Sequence, residues 1–277
     1  MRNAIRGRGS IAPFLLIALV LSLAGSLTGC ATTGAHGERS LILIDTSTEV
    51  KMGLETDVGI RGEYPPATDV LLAEYVQGVG EGIAPYSDRK DVEYSFTVLQ
   101  SDIVNAFAAP GGYIYVTTGL LAAMENEAEL ACVLSHEMGH VTGRHSVRAM
   151  QNTLGIQIAA QLLLGDKNAE AWGQVAGAGA GLFMMKNSRS NEFQADQFGV
   201  KYAVAAGYDP NGMITFFEKL VAMHGGGAEG FQGWLSTHPN TNDRIAATRA
   251  EIARYDLTAN PRRIEKNRFL SATANLR

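Results

Sequence analysis

The 277-residue sequence predicts an α+β fold, a mostly helical body with a small β-sheet whose edge strand lies beside one polar-bearing helix. Three observations predict it. Two runs of alternating apolar and polar residues, "VEYSFTVL" (92–99) and "YIYVTTG" (113–119), are bounded by turn signals and read as strands. The pattern turns helical from Glu125 to about Met150, and most of the chain beyond Met150 is helical too.

The N-terminus has a pattern of its own. Arg2, Arg6 and Arg8 precede the apolar run Ile11 to Leu23, and "LTGC" ends at Cys30. A basic start, a short apolar segment and small residues at the cut describe an export signal. The Cys makes it resemble a bacterial lipoprotein signal, in which cleavage before Cys30 leaves that residue as the lipid-bearing first one. The other cysteine, Cys132, lies in an apolar helical pattern, so with Cys30 lipidated no intramolecular disulfide is available. Ala31 and Thr32 come next, with no Asp beside the Cys. By resemblance to lipoprotein sorting, this implies the outer membrane, facing the periplasm.

The net charge is −5 and no Lys/Arg-rich run occurs, which argues against nucleic acid as a partner. The expected partner at this point is the membrane, through the lipid on Cys30. The expected organisation is a signal over 1–29, a lipidated N-terminus and tether over 30–64, a domain over 65–258 and a loosely held tail over 259–277. "ATTGAHGERS" (31–40) carries the tether reading, being small, polar and without pattern.

Within the domain, Val70, Leu71, Tyr75, Val79 and Ile83 give helical spacing behind Thr68 as N-cap. Between the two strands, "NAFAAPGG" (105–112) contains Pro110, which suits a sheet edge or turn. The stretches "LGIQIAAQLLLG" (154–165) and "GQVAGAGAGLFMM" (173–185) are each shorter than a membrane span. They read as tightly packed small-residue helices, or as a mobile cover or membrane-facing surface.

On a helix over 126–145, Leu130, Val133, Leu134 and Val141 form one apolar stripe. His136 and His140 fall beside it one turn apart, so both imidazoles reach a single ion. Glu137 projects into the edge of the stripe, where an unpaired carboxylate costs several kcal/mol, on the order of the penalty for burying a charged group. "SHEMGH" is thus an HExxH motif: two His for Zn²⁺ and a Glu as general base toward the attacking water.

A third ligand is required. His145 stands one residue short of the tenth position after His136, which is Ser146, so the HExxHxxGxxH pattern is missed by one and His145 reads as a supporting or core residue. In "SRSNEFQADQFGV" (188–200), Glu192 and Asp196 share one helix face. His136, His140 and Glu192 make a catalytic zinc set with a fourth position open. Asp196 is placed to accept from a ligand imidazole and fix its tautomer.

"SHEMGH", "NEFQAD" and "STHPN" in this order, with "NAFAAPGGYIYVTTGLL" (105–121) upstream, resemble the gluzincin-type zinc peptidases of the HtpX, BepA and CAAX prenyl protease family, and the small LoiP-like lipoprotein members match the layout best. The resemblance spans about residues 65 to 255. It implies a zincin-type metalloprotease domain with one Zn²⁺ per chain, an endopeptidase acting in envelope quality control, and the outer-membrane protein assembly machinery as a candidate partner. A chaperone or assembly factor using the same fold with little proteolysis is the alternative. The membrane spans and C-terminal repeats of larger members are not carried over.

Hydrolysis also needs a group that holds the tetrahedral oxyanion. His238 and Arg244, in "STHPNTNDRIAATRAEI" (236–252), are the candidates, both implied by the resemblance to lie near the site. The resemblance gives His238 a second role, as an autoinhibitory ligand on the fourth zinc position, with the glycines of "HGGGAEG" (224–230) permitting movement. A turn-capping His238 and an acid-paired Arg244 remain the structural alternative. Substrate is expected as an added strand on Gly112, Tyr113, Ile114 and Tyr115, read as a sheet edge; main-chain pairing implies broad specificity for unfolded chains.

Overall fold

A computed structural model describes residues 29–153, 187–225, 232–239, 241–258 and 262–276. The signal segment, the stretch 154–185 and most of the glycine-rich 224–230 lie outside the described residues. Among the described residues no helix is long and apolar enough to cross a membrane.

The architecture is α+β and mostly helical. A hairpin of β1 (Gly29–Thr32) and β2 (Arg39–Ile42) leads into α1 (Thr46–Glu63) and α2 (Val70–Ile83). The second sheet comprises β3 (Ser95–Leu99), β4 (Ala106–Ala108) and β5 (Tyr113–Thr117), followed by α3 (Thr118–Ala123) and α4 (Glu127–Thr142). After residues 145–153, which are helical again, come α5 (Arg189–Ala205), α6 (Asn211–Gly225), α7 (Gln232–Thr237), α8 (Thr241–Ile252) and α9 (Lys266–Ala272).

The centre is α4. Every residue of it is buried, polar ones included, so it is enclosed rather than one-faced as the apolar stripe predicts. It packs against α5, α6 and β4. The α4–α5 crossing is close because two glycines meet it: a Cβ on Gly139 would stand 2.8 Å from the Ala195 carbonyl, and one on Gly199 would stand 3.3 Å from the His136 nitrogen. That approach sets the ligand-bearing faces of the two helices together.

The sheet corrects the reading of 112–115 as an edge. Strand order is β3-β5-β4, with β5 parallel to β3 and antiparallel to β4, so Tyr113, Ile114 and Tyr115 lie in the middle strand and Gly112 in the turn before it. The alternation that suggests a wet face is misleading, because Tyr115 is fully buried and donates its hydroxyl to Asp57 at 2.7 Å. The edge strand beside α4 is β4, which among the described residues pairs with no second strand, although Ala106, Phe107 and Ala108 are all buried. Asn105 and Ala109 bond to β5 through their backbones, which turns the polar groups of Ala106 and Ala108 outward.

Four further expectations change. Asp69, not Thr68, caps α2, its side chain accepting from Leu72 N–H. The motif helix stops at Thr142, where Arg144 takes a positive φ of 49°, and helix resumes at His145. Residues 31–40 are not patternless: β1 and β2 pair in register, and His36 in the turn reaches Glu251 of α8 at 3.1 Å. The tail is anchored as well. Phe269 of α9 is fully buried in the core and Arg268 pairs with buried Glu127; such a phenylalanine contributes roughly 1.5–3 kcal/mol.

Candidate metal centre

Local signals position each helix of the site. Asn126 caps α4 by accepting from Glu129 N–H, which starts the helix in register for His136, Glu137 and His140. Ser188 caps α5 by accepting from Asn191 N–H, so Glu192 falls in its first turn and Asp196 one turn further. His238 comes directly after α7 and donates its backbone N–H to the Trp234 carbonyl at 2.7 Å, while the Trp234 ring stacks on its imidazole with centroids 4.2 Å apart. Arg244 belongs to α8.

Four side chains converge. Ligand atoms of His136, His140, Glu192 and His238 all lie within 4.8 Å of one another, each residue buried. His136 Nε2 stands 3.0 Å from His140 Nε2 and 3.4 Å from His238 Nδ1. Glu192 Oε1 is 3.4 Å from His140 Nε2, and Oε2 is 3.7 Å from His136 Nε2. His238 Nδ1 is 3.1 Å from both Glu192 oxygens. Donors placed tetrahedrally at Zn–N and Zn–O lengths of about 2.0–2.1 Å stand roughly 3.3–3.4 Å from each other, so the observed separations fit a single zinc ion.

Proton bookkeeping agrees with that fit. Asp196 Oδ1 accepts from His136 Nδ1 at 2.9 Å, leaving Nε2 as a lone pair toward the centre. Gln194 Oε1 accepts from His145 Nε2 at 2.8 Å. Burial holds His145 well below its ordinary pKa, so its Nδ1 is a free acceptor for His140 Nδ1–H at 2.8 Å. His140 Nε2 then faces the centre. The Ala106 carbonyl accepts from His238 Nε2 at 3.3 Å, which turns Nδ1 inward; that nitrogen carries a proton toward Glu192, which it would give up to ligate a metal.

The charges are tightly organised. Burial alone would raise the Glu192 carboxyl, but the positive charges of His238 and Arg244 hold it well below the usual range. Asp196 is lowered against its burial by Arg244 and His136. His136 is lowered, chiefly by burial. His238 is raised: burial opposes its charge, but the neighbouring Glu192 and Glu137 carboxylates prevail. A bound dication would supply the positive charge those carboxylates call for.

Glu137 is fully buried, and neither carboxylate oxygen has a hydrogen-bond partner among the described residues. His238 Nε2 is 3.5 Å from Oε1. Glu137 lines a cavity of about 330 Å³ together with Phe107, Ala108, His140 and His238. A buried carboxylate left without donors costs stability, and its place in a cavity makes it a candidate for proton transfer there.

Arg244 does not line that cavity. It grips Asp196 through Nε at 2.7 Å and Nη2 at 2.6 Å, approaches Glu192 through Nη1 at 2.6 Å, and lies 4.4 Å over the Phe217 ring. It stands behind the candidate ligands, outside the cavity where the sequence reading expects an oxyanion-holding group. Gln194, Trp234 and the Ala106 carbonyl escape sequence reasoning altogether. Gln194 lies inside "NEFQAD", but a single amide on a helix carries no signature of what it meets.

The family model described as Peptidase family M48 matches residues 71–252. The beta-barrel assembly-enhancing protease of Escherichia coli is 29% identical over 83% of this chain and 51% of its own length. The mitochondrial metalloendopeptidase OMA1 of Arabidopsis thaliana is 36% identical over 72% of this chain and 38% of its own. Metalloprotease YcaL of Escherichia coli is 27% identical over 86% of this chain and 97% of its own. The chain thus spans about half the length of the beta-barrel assembly-enhancing proteases it matches. With a family model covering most of the domain and its HExxH helix meeting Glu192 at one centre, the chain belongs to peptidase family M48.

Proposed function

We propose that this chain is a membrane-anchored zinc metalloendopeptidase that hydrolyses peptide bonds of unfolded or misassembled envelope proteins. The observation that carries the reading is the unpartnered Glu137 carboxylate beside a zinc-sized set of His136, His140, Glu192 and His238. A zinc ion held by these residues would polarise the scissile carbonyl and ready a water for attack. Glu137 takes the proton from that water and returns it to the leaving amine. Asp196 and the His145–Gln194 pair keep the two motif imidazoles in the ligating tautomer, and Arg244 fixes both α5 carboxylates. The substrate backbone pairs with the outward groups of Ala108 on β4, which borders the cavity, and with the Ala106 carbonyl once His238 has swung away from it, in place of the 112–115 strand.

His238 has two positions in this scheme. Drawn in at the fourth corner, as its Nδ1 stands here, it occupies the place the attacking water needs; swung out, it faces the developing oxyanion. The first position favours a latched resting protein. It also supports the second reading, an assembly factor with little proteolysis, in line with relatives named for enhancing beta-barrel assembly.

The anchor is the lipid on Cys30, released by cleavage of the 1–29 signal, and the destination is the outer membrane facing the periplasm. The test of activity compares zinc-loaded protein with its Glu137→Gln variant on casein. Cleavage by the former only, with zinc retained in both, establishes the peptidase; equal cleavage by both removes Glu137 as the base.

A further inference from the structure

Arg148 lies one turn past His145, on the helical segment that resumes after the Arg144 turn, and its side chain lines the cavity that holds Glu137, His140 and His238. The other arginines of this neighbourhood are committed to acids: Arg89 and Arg144 both reach Glu49 and Asp91, and Arg244 reaches Glu192 and Asp196. Arg148 makes no side-chain hydrogen bond or ion pair among the described residues. Around it the cavity is lined by neutral polar groups such as Asn152, Asn187 and Asn191, and Glu137 is the one acid among the described lining residues. A half-buried guanidinium with no acid partner among the described residues, in a cleft whose other described lining is neutral apart from Glu137, is best matched by a planar carboxylate.

We propose that Arg148 is a carboxylate-recognising subsite of this cleft. The enzyme then favours chains that place an Asp or Glu side chain, or a terminal carboxylate, at a fixed distance from the scissile bond. This rests on the peptidase reading, and it narrows the substrate class that an edge strand alone leaves broad.

Two measurements keep the two ideas apart. In the first, zinc-loaded Glu137→Gln protein is titrated calorimetrically with blocked octapeptides in which one Glu is walked through an Ala/Ser background, with Gln counterparts and a Gln peptide bearing a free C-terminus. One Glu position, or the free terminus, should bind on the order of tenfold tighter than its neutral counterpart, as a charge-assisted contact implies. The gap should vanish in Glu137→Gln/Arg148→Gln and invert toward Lys peptides in Glu137→Gln/Arg148→Glu. Equal binding of Glu and Gln at every position, or no binding of any peptide, overturns the proposal. In the second, casein cleavage sites are mapped by mass spectrometry for the unaltered protein and Arg148→Gln. Acidic residues should be enriched at one offset and the enrichment lost in the variant; cleavage without any such offset overturns the subsite. A binding gap that depends on Arg148, with no cleavage at all, supports the subsite and counts against the peptidase.

Discussion

Arg244 Nη1 and Glu192 Oε2 stand 2.6 Å apart with both side chains withdrawn from solvent, and the same guanidinium holds Asp196 through two further bonds. One cation therefore sets the direction of a candidate ligand and of the carboxylate that orients His136. Removing it leaves two buried carboxylates uncompensated. Arg244→Ala should destabilise the protein by about 3–5 kcal/mol, as breaking buried pairs does, and lower zinc content. Arg244→Lys keeps the charge without the fork and should recover part of the melting temperature but not full zinc affinity. Unchanged zinc affinity in the lysine variant would show that the bidentate grip is dispensable.

The tautomer relay gives a second prediction. Gln194→Leu removes the acceptor that fixes His145, so the His145 Nδ1 lone pair is no longer reserved for His140. Loss of a group that orients a ligand imidazole typically weakens metal binding about 10- to 100-fold. Competition with a zinc-binding dye should read a drop in that range with the melting temperature of the metal-free protein little altered. If affinity holds, His140 keeps its orientation by packing alone.

His238→Ala bears on the latch. With Nδ1 at the fourth corner, truncation opens the place of the attacking water, and casein hydrolysis should rise severalfold, since holding the imidazole out requires no further displacement. The site also loses its fourth donor, so zinc should bind somewhat less tightly in the same variant. A fall in hydrolysis with zinc still bound would assign His238 to the transition state.

How much of this is legible in the sequence depends on distance along the chain. His136, Glu137 and His140 are readable because one helical turn sets their relation, and Glu192 and Asp196 for the same reason. Their meeting rests on the Gly139 and Gly199 contact, which no local period encodes. Arg244 is visible as a residue but not as a clamp, because what it faces is decided by the crossing of α5 and α8. Strand β5 reads wrongly as an edge because edge or centre depends on partners elsewhere, here β3 and β4. Helix α1 gives no signal because its polarity is inverted: it buries Glu49, Thr56 and Asp57 and exposes Val50, Leu54 and Val58, of which Val58 is 69% exposed. His145 lies outside the four converging side chains and meets His140 through Nδ1, and the Arg144 turn that carries it there leaves no mark in the spacing.

The inverted helix supplies the last prediction. Its inner face grips the turn between β4 and β5: Glu49 Oε1 accepts from Gly111 N–H at 3.2 Å and from Arg89 Nη1 at 2.8 Å, and Arg89 also donates to the Val141 carbonyl at the end of α4. Gly53 makes this contact possible, since a Cβ there would lie 2.1 Å from the Pro110 carbonyl oxygen, backbone that has no rotamer to yield. Gly53→Ala must therefore push α1 off the turn, and overpacking of this kind costs typically about 1–3 kcal/mol. Because the turn leads out of β4, the displacement should reach the edge strand while leaving His136, His140 and Glu192 on their own helices. The expected signature is a raised KM for casein and a lower melting temperature with zinc stoichiometry unchanged. Gly62→Ala is the control: a Cβ at this exposed position of the same helix meets nothing within 4 Å, so KM should hold and the melting temperature should not fall. If Gly53→Ala lowers stability but leaves KM untouched, α1 serves as ballast for the fold and does not set the position of the edge.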